Sequence, residues 1–265
     1  MRTARVVAAT AAAVGLVVAA TVGAGSAQAT GEAAPQATRP SGTIVVSAAA
    51  SLTDVFPVIA AGFMKRFPGT NVTFNFGGSS GLVAQVLAGA PVDVLATASE
   101  PTMWKAVDAG MVSRPLLIAK NSMAVAMPSD NPARITSLAD LTRPGVLVGV
   151  CAVAVPCGTA ARDVLVKNGL SITPVTYDLD VRILLNKVIS GDLDAGIVYV
   201  TDVRAVGDQV SSVSIPASRN VTTTYPIAAV TASGNAATAA AFVAYVRYTP
   251  GAQSILRAYG FAKPW

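Results

Sequence analysis

The chain has 265 residues, of which 52% are hydrophobic and 12% charged, with a formal net charge of +5 and no histidine. This length suffices for one large domain or two moderate ones. The lack of histidine excludes Ser/His/Asp and Cys/His catalytic groups in their usual forms and removes the commonest metal ligand. No basic run carries interleaved aromatic residues, so we expect no nucleic-acid partner.

The first 29 residues have the pattern of a secretory signal peptide. Arg2 and Arg5 form a positive start, residues 6–22 are apolar, and Ala27-Gln28-Ala29 fits the small-x-small rule for cleavage. We therefore expect export and cleavage after Ala29, with an uncleaved membrane anchor as the alternative. No cysteine lies near the end of the leader, so we expect no lipid anchor. Residues 30–41 predict a disordered spacer.

Short apolar runs then alternate with helical patterns. The first block predicts strands at 43–48, 71–76 and 92–98 and helices at 51–66, 80–87 and 101–108. A long apolar segment at 116–127 is interrupted by Lys120-Asn121-Ser122. The second block predicts strands at 146–150, 173–177, 195–199, 210–215 and 222–230, and helices at 137–141, 158–167, 180–190, 201–206, 236–247 and 252–259.

This alternation predicts an α/β fold in which each lobe is a mostly parallel sheet flanked by helices. We expect two hinge crossings, near residues 120 and 222, and a central cleft. Lobe 1 would comprise 42–121 and 223–265, and lobe 2 would comprise 122–222. Ligands of open α/β sheets bind outside the carboxyl ends of the strands, which would face this cleft.

Three turns at such strand ends share one design. Each places small residues just before a helical pattern, at 46–52, 76–81 and 155–159. Free N–H groups and hydroxyls at helix N-termini are suited to an anion. None of the three turns contains a cation, and the triplet Asp180-Val181-Arg182 opens a fourth helix in the same way.

Each polar residue at these turns also has a structural explanation. Ser51, three residues before Asp54, has the position of a helix N-cap in a near capping box. Ser79 could fill a glycine-rich turn, and Tyr199 could be a core aromatic residue at the end of a strand.

The two cysteines, Cys151 and Cys157, flank a turn that contains proline. In an exported protein this spacing predicts a local disulfide. Two buried free thiols are the alternative. A zinc site would need two further ligands nearby.

Several segments together resemble the periplasmic molybdate-binding proteins of ABC transporters, a type II solute-binding family. The similarity extends from about Thr43 to the C-terminus. It is carried, in order, by residues 44–52, 78–82, 88–94, 196–199, 225–226 and 259–261.

This resemblance implies a two-lobed receptor that binds molybdate or tungstate as cargo, without a cofactor, and delivers it to a membrane permease. It implies a monomer that holds the metal oxyanion through hydroxyl and backbone N–H groups. The implied ligand-binding residues are Ser51, Ser79, Cys157, Val181 and Tyr199. Cys157 departs from the alanine common in the family, although a contact through its N–H would not depend on the side chain.

Two other functions remain open. A receptor for another tetrahedral oxyanion, such as sulfate, would need the same donors, since only the size of the cavity separates sulfate from molybdate. An exported enzyme with Ser51 or Ser79 as nucleophile would need a base, and no suitably placed lysine is evident. Protonated phosphate would bring a donor that these turns have no carboxylate to receive.

Overall fold

The computed structural model describes residues 39–265. The predicted leader at 1–29 and the spacer up to residue 38 lie outside the described residues, so both stay predictions. Among residues 39–265, no helix is both long enough and apolar enough to cross a membrane.

The described chain alternates strands and helices as the pattern predicts. The strands are β1 (Gly42–Ala49), β2 (Thr70–Gly77), β3 (Val94–Ala96), β4 (Leu116–Pro128), β5 (Val148–Cys151), β6 (Thr176–Asp178), β7 (Ala195–Tyr199), β8 (Val210–Ser214) and β9 (Thr222–Ala229). The helices are α1 (Val55–Arg66), α2 (Ser79–Leu87), α3 (Glu100–Asp108), α4 (Pro156–Lys167), α5 (Val181–Ile189), α6 (Val200–Val206), α7 (Ala236–Tyr248) and α8 (Pro250–Ala258).

The strands form one continuous sheet in the order β2-β1-β3-β9-β4-β7-β5-β6, with β8 paired to β4. The α/β fold class is confirmed, but the sheet is more mixed than the pattern predicts. The pairs β1/β2, β1/β3, β5/β6 and β5/β7 are parallel. Each antiparallel pair in the described chain involves β4 or β9. These two strands carry the chain between the parallel groups.

The long strand β4 belongs to both halves of the sheet. Residues up to Ser122 pair with β9, whereas residues 123–126 pair with β7. The polar triplet that interrupts the apolar run therefore lies at the point where the pairing partner changes. The division into lobes at residues 121 and 222 stays a prediction, and the change of partner at Ser122 supports it.

Helix α1 shows how the apolar pattern builds the core. Its apolar residues recur at helical spacing and are buried, with Phe56, Ile59 and Phe63 fully so. The ring of Phe63 packs edge-on against Phe242 of α7 at 5.2 Å between centroids. Burial of a side chain of this size contributes about 2 kcal/mol.

Two helix predictions differ from the structure. Ser51 does not begin or cap α1: it lies in a separate 3₁₀ turn, Ala50–Leu52, and α1 begins only at Val55 without a side-chain cap from Asp54. The predicted helix at 137–141 is a 3₁₀ turn, Leu138–Thr142, with a capping box between Ser137 and Asp140. Both segments are too short for a stable α-helix.

Candidate functional site

The turn after β1 places Ser51 below the surface, with 5% of its area exposed. Its Oγ lies 2.8 Å from the hydroxyl of Tyr225 on β9, and either group could donate in this hydrogen bond. The side chain therefore faces the crossing strands rather than the helix that follows it. This excludes the helix-cap explanation of Ser51.

The second turn places Ser79 at the start of α2, with 2% of its area exposed. The backbone N–H of Ala98 donates to its Oγ at 3.0 Å. Ser79 thus joins α2 to the end of β3, while its own hydroxyl hydrogen remains available. The next residue, Ser80, donates from its hydroxyl to the Ala154 carbonyl at 2.7 Å.

The cysteine turn is closed by a disulfide. Cys151, at the end of β5, is bonded to Cys157 in the first turn of α4, with Cα atoms 5.7 Å apart. The N–H of Cys157 has no hydrogen-bond partner among residues 39–265. A Cβ on Gly158 would lie 1.9 Å from the Ala152 carbonyl oxygen, so only glycine allows this close approach.

The start of α5 is capped by Asp180, whose carboxylate accepts from the N–H groups of Arg182 and Ile183 at 2.8 and 3.0 Å. The N–H of Val181 is left without a partner within the described chain. Val181 and Cys157 therefore both present free first-turn donors, as expected where a helix cannot satisfy its own N–H groups.

Arg182 carries the positive charge nearest in sequence to these donors, and its guanidinium lies against the side chains of Asp54 and Asp202. It forms an ion pair with Asp54, and its Nε lies 3.3 Å from Oδ1 of the fully buried Asp202. Burial raises the pKa of Asp202 to about 7, although Arg182 opposes this shift. Asp54 lies in predicted lobe 1 and Arg182 in predicted lobe 2.

Tyr199 ends β7 and is almost fully buried, with 1% of its area exposed. Its hydroxyl has no hydrogen-bond partner among residues 39–265, and neither does that of Thr223 on β9. The Tyr199 hydroxyl faces those of Thr223 and Tyr225 without forming a well-aligned hydrogen bond to either, so it is able to donate to a further group. Burial raises the pKa of Tyr199 well above its ordinary value, so the hydroxyl remains a donor.

Contacts between the turns bring the five predicted residues into one region. The Ser80 hydroxyl joins the second turn to the cysteine turn through its bond to the Ala154 carbonyl. The second turn also lies close to the segment before α5, because a Cβ on Gly78 would lie 2.2 Å from the Leu179 carbonyl. The rings of Tyr199 and Tyr225 pack edge-on at 6.1 Å. Through Tyr225, Tyr199 is next to Ser51.

The sequence interpretation missed the polar residues behind Ser51. Asn121 on β4 and Tyr225 on β9 are buried, and the Asn121 Nδ2 donates to the Tyr225 hydroxyl at 3.2 Å and to the Thr201 hydroxyl at 2.8 Å. The polar triplet 120–122 inside an apolar run was the available signal for Asn121. In the sequence, Tyr225 was notable only as one of the residues that carry the resemblance to molybdate-binding proteins.

Residues 39–265 contain no group of three or more acidic, cysteine or histidine side chains that could hold a metal ion. The polar groups at the five positions are hydroxyls and N–H groups. Such a set fits an anion that offers only acceptors.

Residues 44–262 match the family described as bacterial extracellular solute-binding proteins. The chain belongs to this family. Among curated relatives, the molybdate-binding protein ModA of Mycobacterium bovis is 42% identical over 228 residues, which cover 86% of this chain and 87% of that protein.

Solved structures show the same fold in solute-binding proteins. The periplasmic molybdate-binding protein of Azotobacter vinelandii superposes with a TM-score of 0.74 at 21% identity, covering 84% of this chain and 100% of that one. The sulfate-binding protein SubI of Mycobacterium tuberculosis gives 0.71 at 21% identity, covering 83% and 86%. At these identities the likeness establishes the fold of this solute-binding protein.

Proposed function

We propose that this protein is an exported receptor that captures molybdate or tungstate between its two lobes and delivers it to an ABC permease. The observation that carries the proposal is the set of donors at Ser51, Ser79, Cys157, Val181 and Tyr199. Each presents a hydroxyl or an N–H group, and four of them, all except Ser51, have an unpaired donor in residues 39–265. The identity to a molybdate-binding relative supports the choice of cargo.

The donor set is suited to a fully deprotonated tetrahedral dianion. Such an anion offers only acceptor oxygens, so each donor can be satisfied. Hydrogen phosphate carries a donor of its own, and the carboxylates nearest in sequence, Asp54 and Asp180, are committed to Arg182 and to the α5 N-terminus. Phosphate is therefore disfavoured by an unsatisfied hydrogen bond.

A sulfate receptor remains the second candidate, because sulfate has the same charge and acceptor character. Its support is the shared fold with SubI, which does not specify the ligand. An enzymatic role for the serines has less support. Ser51 Oγ is bonded to a tyrosine hydroxyl and Ser79 Oγ to a backbone N–H, and neither partner is a base.

A thermal titration of the exported, oxidised protein tests the proposal. Ligand that binds only the native state stabilises it by about 2.7 kcal/mol at one hundred times its Kd. We expect molybdate and tungstate to raise the Tm at micromolar concentrations and sulfate and phosphate to do so far less. An equal response to sulfate would favour the second candidate, and no response to either Group 6 oxyanion would overturn the proposal.

A further inference from the structure

The hydroxyl of Ser51 is the end of a hydrogen-bonded chain that begins at Asn121. The amide orientation of Asn121 is set by the backbone, because its Oδ1 accepts from the N–H of Ser122 at 3.0 Å. Its Nδ2 group therefore faces Thr201 and Tyr225, at 2.8 and 3.2 Å, and can only donate to them.

This fixed donor determines the direction of the next bond. The Tyr225 oxygen accepts from Asn121, and its other hydrogen-bond partner in the described chain is Ser51 Oγ. Tyr225 is fully buried and its hydroxyl also faces that of Tyr199, but among residues 39–265 Ser51 Oγ is the acceptor at hydrogen-bond distance, so we assign the Tyr225 hydrogen to Ser51. Burial also raises the pKa of Tyr225 far above its ordinary value, which keeps that hydrogen in place.

We propose that Asn121 and Tyr225 are positioning residues that orient the Ser51 hydroxyl as a donor toward the cleft and thereby restrict the site to fully deprotonated oxyanions. With its oxygen occupied by the Tyr225 hydrogen, Ser51 has its own hydrogen left to give. This inference rests on the proposed function, since it concerns the same anion site.

Ser79 is oriented by the same principle with a different donor. The backbone N–H of Ala98 cannot accept, so its bond to Ser79 Oγ leaves the Ser79 hydrogen for another group. Each serine oxygen thus accepts a hydrogen bond from a donor whose direction is fixed. For Ser79 the donor is the main chain, whereas for Ser51 it consists of side chains that can be substituted.

Tyr225→Phe removes the link between Asn121 and Ser51. Ser51 is then free to accept as well as donate, so we expect molybdate affinity to fall by about tenfold. The Tm increase produced by inorganic phosphate should be at least as large as in the wild type. The control is Tyr245→Phe, which removes the same atom from a tyrosine on α7 that packs against Phe63, and it should bind as the wild type does. Unchanged molybdate affinity, or a parallel loss for phosphate, would overturn the proposal.

Asn121→Asp should reverse the direction of the hydrogen bonds that link residue 121, Tyr225 and Ser51. One carboxylate oxygen can keep the Ser122 bond while the other accepts from Tyr225, so Tyr225 would accept from Ser51 and take its hydrogen away from the anion. Measured at pH 8, we expect a loss of molybdate affinity of roughly tenfold in the presence of Tyr225 but under about threefold in the Tyr225→Phe background. Equal losses in both backgrounds would indicate charge repulsion alone and would overturn the proposal.

Titration of the wild-type protein with molybdate tests the proposed function separately from the roles of Asn121 and Tyr225. If molybdate does not stabilise the wild-type protein, the proposed function fails and this inference fails with it. If the wild type responds to molybdate while the variants show no coupling, only the roles of Asn121 and Tyr225 are wrong.

Discussion

The Ser51 and Tyr225 hydroxyl oxygens lie 2.8 Å apart, although the two residues are 174 positions apart in the chain. This bond joins the first strand-end turn to β9, one of the two strands that cross between the predicted lobes. An anion held by Ser51 would therefore be connected directly to the crossing strands, where closure of such receptors takes place.

Substitution of Ser79 by alanine should affect both stability and binding. It leaves the Ala98 N–H unpaired, at a cost of about 1–3 kcal/mol in the free energy of unfolding without ligand. It also removes a donor to the anion, so molybdate affinity should fall by about tenfold or more, as measured by calorimetry.

Ser113→Ala is the matched control for this serine, because Ser113 Oγ also accepts a backbone N–H, that of Ala229, at 3.2 Å but at an exposed position. It should leave molybdate affinity unchanged. A Ser79→Ala protein that melts at a lower temperature but binds molybdate normally would reduce Ser79 to a structural role.

Substitution of Gly78 by alanine should prevent the close approach of the two lobes. The added Cβ would lie 2.2 Å from the Leu179 carbonyl, while the backbone of Gly78, at φ −63°, accepts alanine without strain. We expect a loss of molybdate affinity of about tenfold or more with little change in the Tm of the free protein.

Gly81→Ala, in the same helix region but with no atom within 4 Å of the added Cβ, is the control and should bind normally. Wild-type affinity in Gly78→Ala would show that the anion does not require the arrangement of the two turns seen here.

Reduction of the disulfide should destabilise the protein and loosen the Cys157 turn. The bridge closes a loop between residues six positions apart, for which the chain-entropy relation gives about 2 kcal/mol. We also expect weaker molybdate binding, because the free Cys157 N–H would be less well oriented. Calorimetry with and without reductant measures both effects.

The Cys151→Ser/Cys157→Ser protein provides the control for the reductant, which should have no further effect on it. Unchanged affinity after reduction would limit the disulfide to a role in folding.

Stability without ligand should fall as the pH rises from 5 to 8. The pKa of Asp202 is raised in the folded protein to about 7 from 3.8, so its contribution is complete below pH 3.8 and is lost as the pH rises through about 7. The slope can approach about 1.4 kcal/mol per pH unit for one proton. Arg182, Asp180, Tyr199 and Tyr225 are the charged or titratable groups that face it.

Asp202→Asn should remove this pH dependence in chemical denaturation experiments. Asp140 does not contribute in this range, because hydrogen bonds from Thr136 lower its pKa to about 2. Stability that rises with pH between 5 and 8, or an unchanged slope in Asp202→Asn, would contradict the assignment.

Local patterns in the sequence were sufficient for the order of strands and helices and for the buried face of α1, because apolar periodicity depends on neighbouring residues. They also indicated the cysteine turn and the free first-turn donors of α4 and α5, since a helix cannot satisfy its own first N–H groups. The role of Ser51 was different. Its position three residues before Asp54 suggested a helix cap, whereas its actual partner comes from β9.

The tertiary structure alone determined which groups stand behind the predicted donors. The pairing of β4 with β9 brings Asn121 and Tyr225 behind Ser51, and packing of α5 against the first turn places Arg182 between Asp54 and Asp202. The bonds of Asn121 with Tyr225 and of Asp54 with Arg182 join residues more than one hundred positions apart, so no local pattern records them. The sequence was sufficient to predict which residues donate to an anion, whereas the proposed direction of the Ser51 hydrogen depends on partners that only the fold brings together.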